Sequence, residues 1–340
     1  MFRRLLSRLP VDTFLLLLMA TVALAAVLPV RGQGAVWTEH AASAAVAILF
    51  FLYGTRLAPR NLLEGLLHWR LQGLVFAATY GVFPLLGLIL VWLAGGWLPP
   101  ALALGLMFVC VLPSTVQSSI AFTSIAGGNV PAALCAATLS NLAGIVMTPA
   151  LVALLLSARS GGFNLDALWS IALNLLLPFV VGQVMRPWIG SWMGRHKALT
   201  GLVDRGSILL VVYSAFSEGV VAGIWQQLAP SSLAILVLLD SVLLALAMLG
   251  SWVAARMIGL KRADEVVAVF CGSKKSLATG IPMANILFAG QAVGLVVLPL
   301  MLFHQIQLFV CAALARRYAQ ATARAVNQTP PVARELQPAA

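Results

Sequence analysis

The hydrophobic pattern of the chain consists of long apolar segments separated by short, often glycine-rich polar ones. Each apolar segment, at about 18 residues or more, is long enough as a helix to cross a membrane core about 30 Å thick. We predict an all-α polytopic membrane protein of ten transmembrane helices, followed by a solvated cytoplasmic tail over residues 318–340. The predicted helices lie near residues 10–30, 36–57, 70–94, 98–126, 130–157, 164–187, 203–224, 231–257, 263–289 and 292–317.

Composition and charge agree with a lipid environment. Of 340 residues, 61% are hydrophobic and 9% are charged, whereas soluble domains have about 25% charged residues. The net charge of +11 would indicate nucleic-acid binding in a soluble protein, but here the basic residues alternate between loops. Of 21 Lys and Arg residues, 17 fall on one predicted side, and Arg31 and Arg159 on the other. By the positive-inside rule both termini are cytoplasmic in an inner membrane, and we expect no nucleic-acid partner.

Two of the predicted helices, the fourth and the ninth, are interrupted by small and polar residues at membrane depth. The interruptions run from Leu112 to Ser119 and from Cys271 to Gly280. A helix can break at this depth only where protein or water satisfies the freed backbone groups. The predicted substrate- or ion-binding residues in these segments are Ser114, Thr115, Gln117, Ser118, Ser119, Ser273, Lys274, Lys275, Ser276 and Thr279.

The two interruptions lie at matching places in two halves of the chain. They are five spans apart, so equivalent helices of the halves run in opposite directions. We therefore predict two inverted five-helix repeats, over residues 1–157 and 158–317. A pair of broken helices in corresponding positions indicates the midplane binding site of a secondary transporter.

The broken segments and their neighbours resemble the bile acid:sodium symporter superfamily, and within it the SBF-like bacterial branch. The resemblance rests on Pro113 to Ser119, on Gly128 to Pro149, and on the string from Cys271 to Met283. It implies a core domain of spans three to five and eight to ten beside a panel domain of the other four. It also implies unwound, crossing fourth and ninth helices, and alternating access.

The resemblance also implies where sodium would bind, and there this sequence departs from sodium-coupled members. Ser118 and Ser119 match a Ser-Asn pair in the fourth span, and Thr138, Ser140 and Asn141 retain polar groups in the fifth, so sodium can be accommodated at Ser118, Ser119 and Asn141. In the ninth span, however, the family's glutamate is missing and Lys274-Lys275 replaces a Gln-Asn pair. This departure argues against classical sodium coupling and leaves sodium or a proton as the coupling ion.

An intramembrane lysine costs about 2.5–3.5 kcal/mol on insertion scales and indicates function. The hypothesis is that one ammonium of Lys274 or Lys275 occupies the place of a sodium ion. It can stabilise the crossover through freed carbonyls, attract an anion or carry a coupling proton. Asp240 is a candidate counter-ion, and His304, with Gln305 and Gln307 nearby, either titrates or bonds between helices. Glu218, nearer the outer end of span seven, is a candidate gate or a merely hydrated residue.

Other functions are less consistent with the sequence. No HExxH, GxGD or serine elbow is present, so we expect neither an enzyme nor a bound cofactor, and the spacing of the cysteines predicts no zinc site. A channel fits the polar midplane but not the inverted pair of broken helices. The prediction is a transporter of a small organic anion, with sodium or a proton as coupling ion. A non-transporting regulator or sensor on the same fold is the alternative.

Overall fold

The computed structural model describes residues 13–56, 68–155, 165–221, 223, 228–289 and 291–328, which are built of helices joined by short turns. A π-helical turn, Ala78–Val82, joins the helices Trp69–Ala77 and Phe83–Ala94, and a 3-10 turn, Gly95–Trp97, follows the second of them. In chain order the α-helices are α1 Thr13–Val27, α2 Gln33–Arg56, α3 Trp69–Ala77, α4 Phe83–Ala94, α5 Pro100–Val111, α6 Gln117–Ile125, α7 Val130–Leu155, α8 Leu165–Arg195, α9 Lys197–Val221, α10 Pro230–Met257, α11 Arg262–Gly272, α12 Leu277–Leu287 and α13 Val293–Gln328.

Several of these helices are suited to a membrane. Within the described ranges, six helical stretches are long and apolar enough to cross it, and Leu16–Val27 and Pro100–Val111 are shorter apolar helices. Large apolar side chains such as Leu85 and Trp92 are exposed on the surface. The protein is therefore a polytopic membrane protein. The six stretches are Gln33–Thr55, Trp69–Trp97, Val130–Leu155, Ala198–Val221, Pro230–Met257 and Val293–Ala321.

Some predicted helix ends were wrong. Helix α8 continues to Arg195 instead of residue 187, α9 begins at Lys197 instead of residue 203, and α13 continues to Gln328 instead of residue 317. The extensions contain Ala, Arg, Lys and Gln, which favour helix in water as well as in lipid, so the end of the apolar segment is not the end of the helix. The predicted boundary between the repeats, at residues 157 and 158, and the tail beyond residue 328 lie outside the described residues.

The helices pack in two groups. Helices α2, α8 and α9 contact one another and α1 packs against α9, while α5 and α13 pack together among the remaining helices. Helices α2 and α8 approach so closely that a Cβ atom at Gly54 would lie 2.1 Å from the Phe179 carbonyl oxygen, and one at Gly182 would lie 2.1 Å from that of Phe51. Contacts of α9 with α12 and α13, and of α8 with α7, join the two groups.

The helical path is broken within both segments in which the sequence predicts an interruption. Helix α5 ends at Val111 and α6 begins at Gln117, whereas α11 ends at Gly272 and α12 begins at Leu277. Leu112 is extended, with φ −76° and ψ 155°, because the ring of the following proline disfavours the helical conformation. Ser276 is the N-cap of α12, and its side chain accepts a hydrogen bond from the Thr279 amide at 3.3 Å.

Candidate functional site

The two broken segments cross and bond to each other directly. Each break frees backbone carbonyls and amides, and because residues 112–115 and 273–276 are buried, these groups need partners within the protein. Polar groups of the first break and its flanking helix meet the backbone of the second. The bonds run from Ser276 N to Pro113 O (2.9 Å), Ser114 Oγ to Cys271 O (2.7 Å), Ser119 Oγ to Phe270 O (3.3 Å) and Thr115 Oγ1 to Lys275 O (3.4 Å).

An amide side chain on the following long helix supports each break. On α7, Asn141 Nδ2 donates to the carbonyl oxygens of Ser114 at 2.6 Å and Ala137 at 2.9 Å. On α13, Gln307 accepts from the Lys275 amide and donates to the Lys275 carbonyl, both at 3.0 Å. Each break is therefore bonded by a carboxamide side chain, which only donates in Asn141 and both donates and accepts in Gln307.

Lys275 places its ammonium group among carbonyl oxygens of the first half of the chain. Its Nζ atom donates to Leu112 O at 2.8 Å and to Thr79 O and Cys110 O, both at 2.9 Å. An ammonium has three donors, so all three are used. The nitrogen also lies 4.1 Å from the ring centroid of Phe83, and the side chain is 0% exposed. We call these three oxygens the carbonyl cradle.

Lys274 has different surroundings, although it is also buried. Its Nζ atom donates to Ser118 Oγ at 3.3 Å and lies 4.0 Å from the ring centroid of Phe122 and 5.5 Å from that of Phe270. Aromatic faces attract ammonium groups, but they leave its donors less completely bonded than carbonyl oxygens would. Ser118 is half-buried whereas Lys274 is buried, so the hydroxyl that accepts from the Lys274 ammonium is nearer the protein surface than the lysine.

The other predicted site residues differ in their burial and hydrogen bonding. Ser140 Oγ accepts from the Ser114 amide at 3.0 Å, so it supports the first break, and Ser273 bonds back to its own helix at Val269 O. Gln117 is exposed and Thr138 is half-buried. The Thr279 hydroxyl is buried without a hydrogen-bond partner.

The predicted counter-ion and relay residues do not meet at the crossover. Asp240 is buried on α10, and neither of its carboxylate oxygens has a hydrogen-bond partner. In the part of the chain that the structure describes it forms no ion pair, with either lysine or elsewhere. His304 Nδ1 lies 2.8 Å from Gln307 Nε2, which connects it to the second break. Glu218 is exposed on α9, in the other helix group.

Comparison with known proteins identifies the family. Residues 12–320 match the SBF-like CPA transporter family, which covers most of the chain. The chain belongs to this family. Its members are transporters and not enzymes, in agreement with the absence of catalytic motifs from the sequence.

Individual relatives extend this likeness. A protein of Pseudomonas aeruginosa named "Uncharacterized protein PA2026" is 54% identical over 310 residues, which is 91% of this chain and 93% of the relative. The "Putative symporter YfeH" of Escherichia coli K12 is 49% identical over 311 residues, 92% of this chain and 94% of the relative. The "Sodium/bile acid cotransporter 7" of Rattus norvegicus is 31% identical over 273 residues, 78% of this chain and 79% of the relative.

Several contributing residues were not among the predicted site residues of this SBF-like protein. Gln307 was noted only beside His304, although it holds the second break as Asn141 holds the first. The signal available was a midmembrane amide on each long helix that follows a broken one. Thr79 contributes through its carbonyl, and Phe122 through its ring face. Neither kind of contact has a sequence signature, since every residue has a carbonyl and apolar spans contain many phenylalanines.

Proposed function

We propose that this protein is a secondary transporter that carries a small organic anion across the bacterial inner membrane by alternating access. In this proposal it has ten spans in two inverted repeats, with both termini cytoplasmic. The broken helices lie near the membrane midplane, and α1, α2, α8 and α9 form one domain that moves against the other.

One observation carries the proposal: the two broken helices cross and bond together, with the Lys275 ammonium in the carbonyl cradle. Crossed, broken helices at corresponding places in two halves are typical of transporter binding sites. The roles of Asn141 and Gln307 support a repeat, because in each half a carboxamide on the long helix that follows the broken one bonds to the backbone of the break. The names of the relatives from E. coli and rat, a symporter and a cotransporter, agree with this function.

The residues at the predicted sodium site fit a bound sodium ion poorly. Sodium needs several oxygen ligands, but Ser118 Oγ faces the Lys274 ammonium at 3.3 Å and would bring a second cation against it. Asn141 points its amide nitrogen, which cannot be a ligand, at backbone carbonyls. We therefore propose that the lysines are permanent, covalently attached substitutes for the ion, Lys274 beside Ser118 and Lys275 at the freed carbonyls of Cys110 and Leu112.

The lysines also favour an anionic substrate. Two ammonium groups lie on adjacent residues, and no carboxylate of the described residues forms an ion pair with them. An uncompensated positive potential at a low-dielectric site attracts anions and repels cations.

The test is uptake by purified protein in proteoliposomes. A library of small radiolabelled organic anions, including bile acids, is offered under an imposed sodium gradient and then under a proton gradient. We expect uptake that is indifferent to sodium and is lost in the double variant Lys274→Gln, Lys275→Gln. Ser241→Ala, which removes a hydroxyl bonded within its own helix, is the control.

Two outcomes would contradict the proposal. Stimulation by sodium would mean that the lysines have not replaced the ion. Absence of flux for every anion, with folded protein in the liposomes, would favour the regulator or sensor.

A further inference from the structure

The outer face of α10 is apolar over its second half and ends beside an arginine. Leu246, Leu249, Val253 and Met257 are exposed, and their spacing of three or four residues places them on one side of the helix. Arg256 is exposed at the end of this row. We call the four apolar residues the α10 stripe.

The α10 stripe has the length of one bilayer leaflet. From Leu246 to Met257 the helix rises about 16 Å at 1.5 Å per residue, which is about half of a hydrocarbon core about 30 Å thick. A lipid acyl chain that lies along the stripe therefore brings its headgroup to Arg256.

Two tryptophans, each with an arginine over its ring, lie at the same end of the helices. The Cζ atom of Arg256 is 4.5 Å from the ring centroid of Trp252, and that of Arg70 is 5.5 Å from the ring centroid of Trp69. Ala255 packs in one apolar cluster with the first turn of α3, so the two pairs are near each other. Tryptophan is enriched where the hydrocarbon core meets the headgroups, which places this end at headgroup depth.

Three basic residues lie where α10 ends and α11 begins. Arg256, Lys261 and Arg262 are all exposed, and we call them the basic rim. Glu265 accepts from Arg256 Nε and from the Tyr318 hydroxyl, both at 3.2 Å, and the Arg262 Cζ atom lies 5.2 Å from the Tyr318 ring centroid. The two arginines are therefore close together around the same pair of side chains.

Acidic side chains compensate the basic rim only in part. Glu265 bonds to the Nε atom of Arg256, and the two terminal nitrogens of that guanidinium have no acceptor among the residues that the structure describes. Asp264 accepts from Asn129 Nδ2 at 2.8 Å. Lys261 forms no ion pair in the described parts of the chain. The rim thus retains donors that suit a phosphate, which a guanidinium can bind through two oxygens at once.

We propose that the basic rim and the α10 stripe together bind an anionic phospholipid. Its phosphodiester lies at Arg256, Lys261 and Arg262, and one acyl chain lies along the stripe. Basic residues beside a membrane span attract anionic headgroups, and the apolar stripe leads directly to them. A free phosphate has the same charge but leaves the stripe uncovered, so a lipid is the ligand that fits both parts.

The test compares two lipids that have the same chains and differ in headgroup charge. Purified protein in a neutral detergent receives dioleoyl phosphatidylglycerol or dioleoyl phosphatidylcholine, and its Tm is followed by tryptophan fluorescence at one scan rate. A ligand that binds only the folded protein raises the Tm, so we expect a Tm about 3 °C or more higher with phosphatidylglycerol. This difference should largely disappear in the double variant Lys261→Gln, Arg262→Gln.

The matched control is the double variant Arg31→Gln, Arg195→Gln. It removes two exposed positive charges outside the basic rim and should keep the difference between the lipids. If Lys261→Gln, Arg262→Gln does not fold, Arg262→Gln alone is measured. No difference between the lipids in the wild type, or an equal loss in both double variants, would overturn the proposal.

A third probe separates a lipid from a free phosphate. Glycerol phosphate carries the charged headgroup without acyl chains and should leave the Tm unchanged. A rise equal to that with phosphatidylglycerol would assign the rim to a soluble phosphate and refute the lipid site. None of these measurements involves transport, so their outcome is independent of the proposed function.

Discussion

The carbonyl cradle predicts that the two adjacent lysines differ sharply in their contribution to stability. In Lys275→Met the apolar side chain keeps a similar length but removes all three bonds from Nζ to Thr79, Cys110 and Leu112. Hydrogen bonds to a charged group contribute about 1.5–3 kcal/mol each, so about 4.5–9 kcal/mol is lost in total. Avoiding the burial of an ammonium returns about 2.5–3.5 kcal/mol. The net expected destabilisation is about 1–6.5 kcal/mol.

The matched variant is Lys274→Met, one residue away and equally buried. It loses one bond to Ser118, long at 3.3 Å, and ring contacts of about 0.5–2 kcal/mol. The variant also avoids burying an ammonium, which returns about 2.5–3.5 kcal/mol, and this gain is similar in size to the losses. We therefore expect Lys274→Met to have nearly the stability of the wild type.

Intrinsic fluorescence can measure this, since the chain has 9 tryptophans. Wild type and both variants are heated in the same detergent at one scan rate, because membrane proteins often unfold irreversibly and the apparent Tm depends on that rate. We expect the Tm of Lys275→Met to fall by at least several degrees and that of Lys274→Met to stay within about 2 °C of the wild type. Equal shifts, or a larger one for Lys274→Met, would refute the assignment of the cradle to Lys275.

Three further predictions concern packing, the amide supports and sodium. Gly182→Ala should lower the Tm strongly, because the new Cβ would lie 2.1 Å from the Phe51 carbonyl oxygen. The control is Gly194→Ala on the same helix, which has open space around the new Cβ and should keep the wild-type Tm. Equal Tm values for the two variants would contradict the close packing of α2 and α8. Asn141→Ala and Gln307→Ala should each cost about 1–3 kcal/mol, since they leave buried backbone groups unsatisfied, and a Tm unchanged in both would show that the breaks do not need these amides. Adding sodium at constant ionic strength should not raise the Tm, whereas a protein that binds sodium would gain about 2.7 kcal/mol at 100 times the Kd.

The sequence was sufficient to predict what depends on local composition. Apolar length predicts helices in lipid, and Pro113 together with the polar run around Lys275 predicts the breaks. It could not predict the helix ends at Arg195 and Gln328, because helices continue past the apolar segment where the residues favour helix.

Contacts between residues that are far apart in the chain could not be predicted from local sequence patterns. The Lys275 ammonium bonds to carbonyls distant from it in sequence, and backbone acceptors are the same at every residue. For the same reason an ion pair with Asp240 was a natural prediction, since side-chain charges are visible in sequence. Competition from main-chain oxygens is not visible in the sequence. In the described structure those oxygens bind the Lys275 ammonium.

A lysine ammonium that replaces a bound ion changes how transport can be coupled to an ion gradient. A sodium ion can leave, so its site alternates between filled and empty, and that alternation couples its gradient to transport. The Lys275 ammonium cannot leave; it can only change partners, and each change must be driven by another group whose charge varies. Asp240 is a buried acid whose oxygens lack hydrogen-bond partners in the described structure. Replacing the ion by a lysine therefore does not remove the need for a coupling ion, but transfers it to a group that can gain and lose a charge.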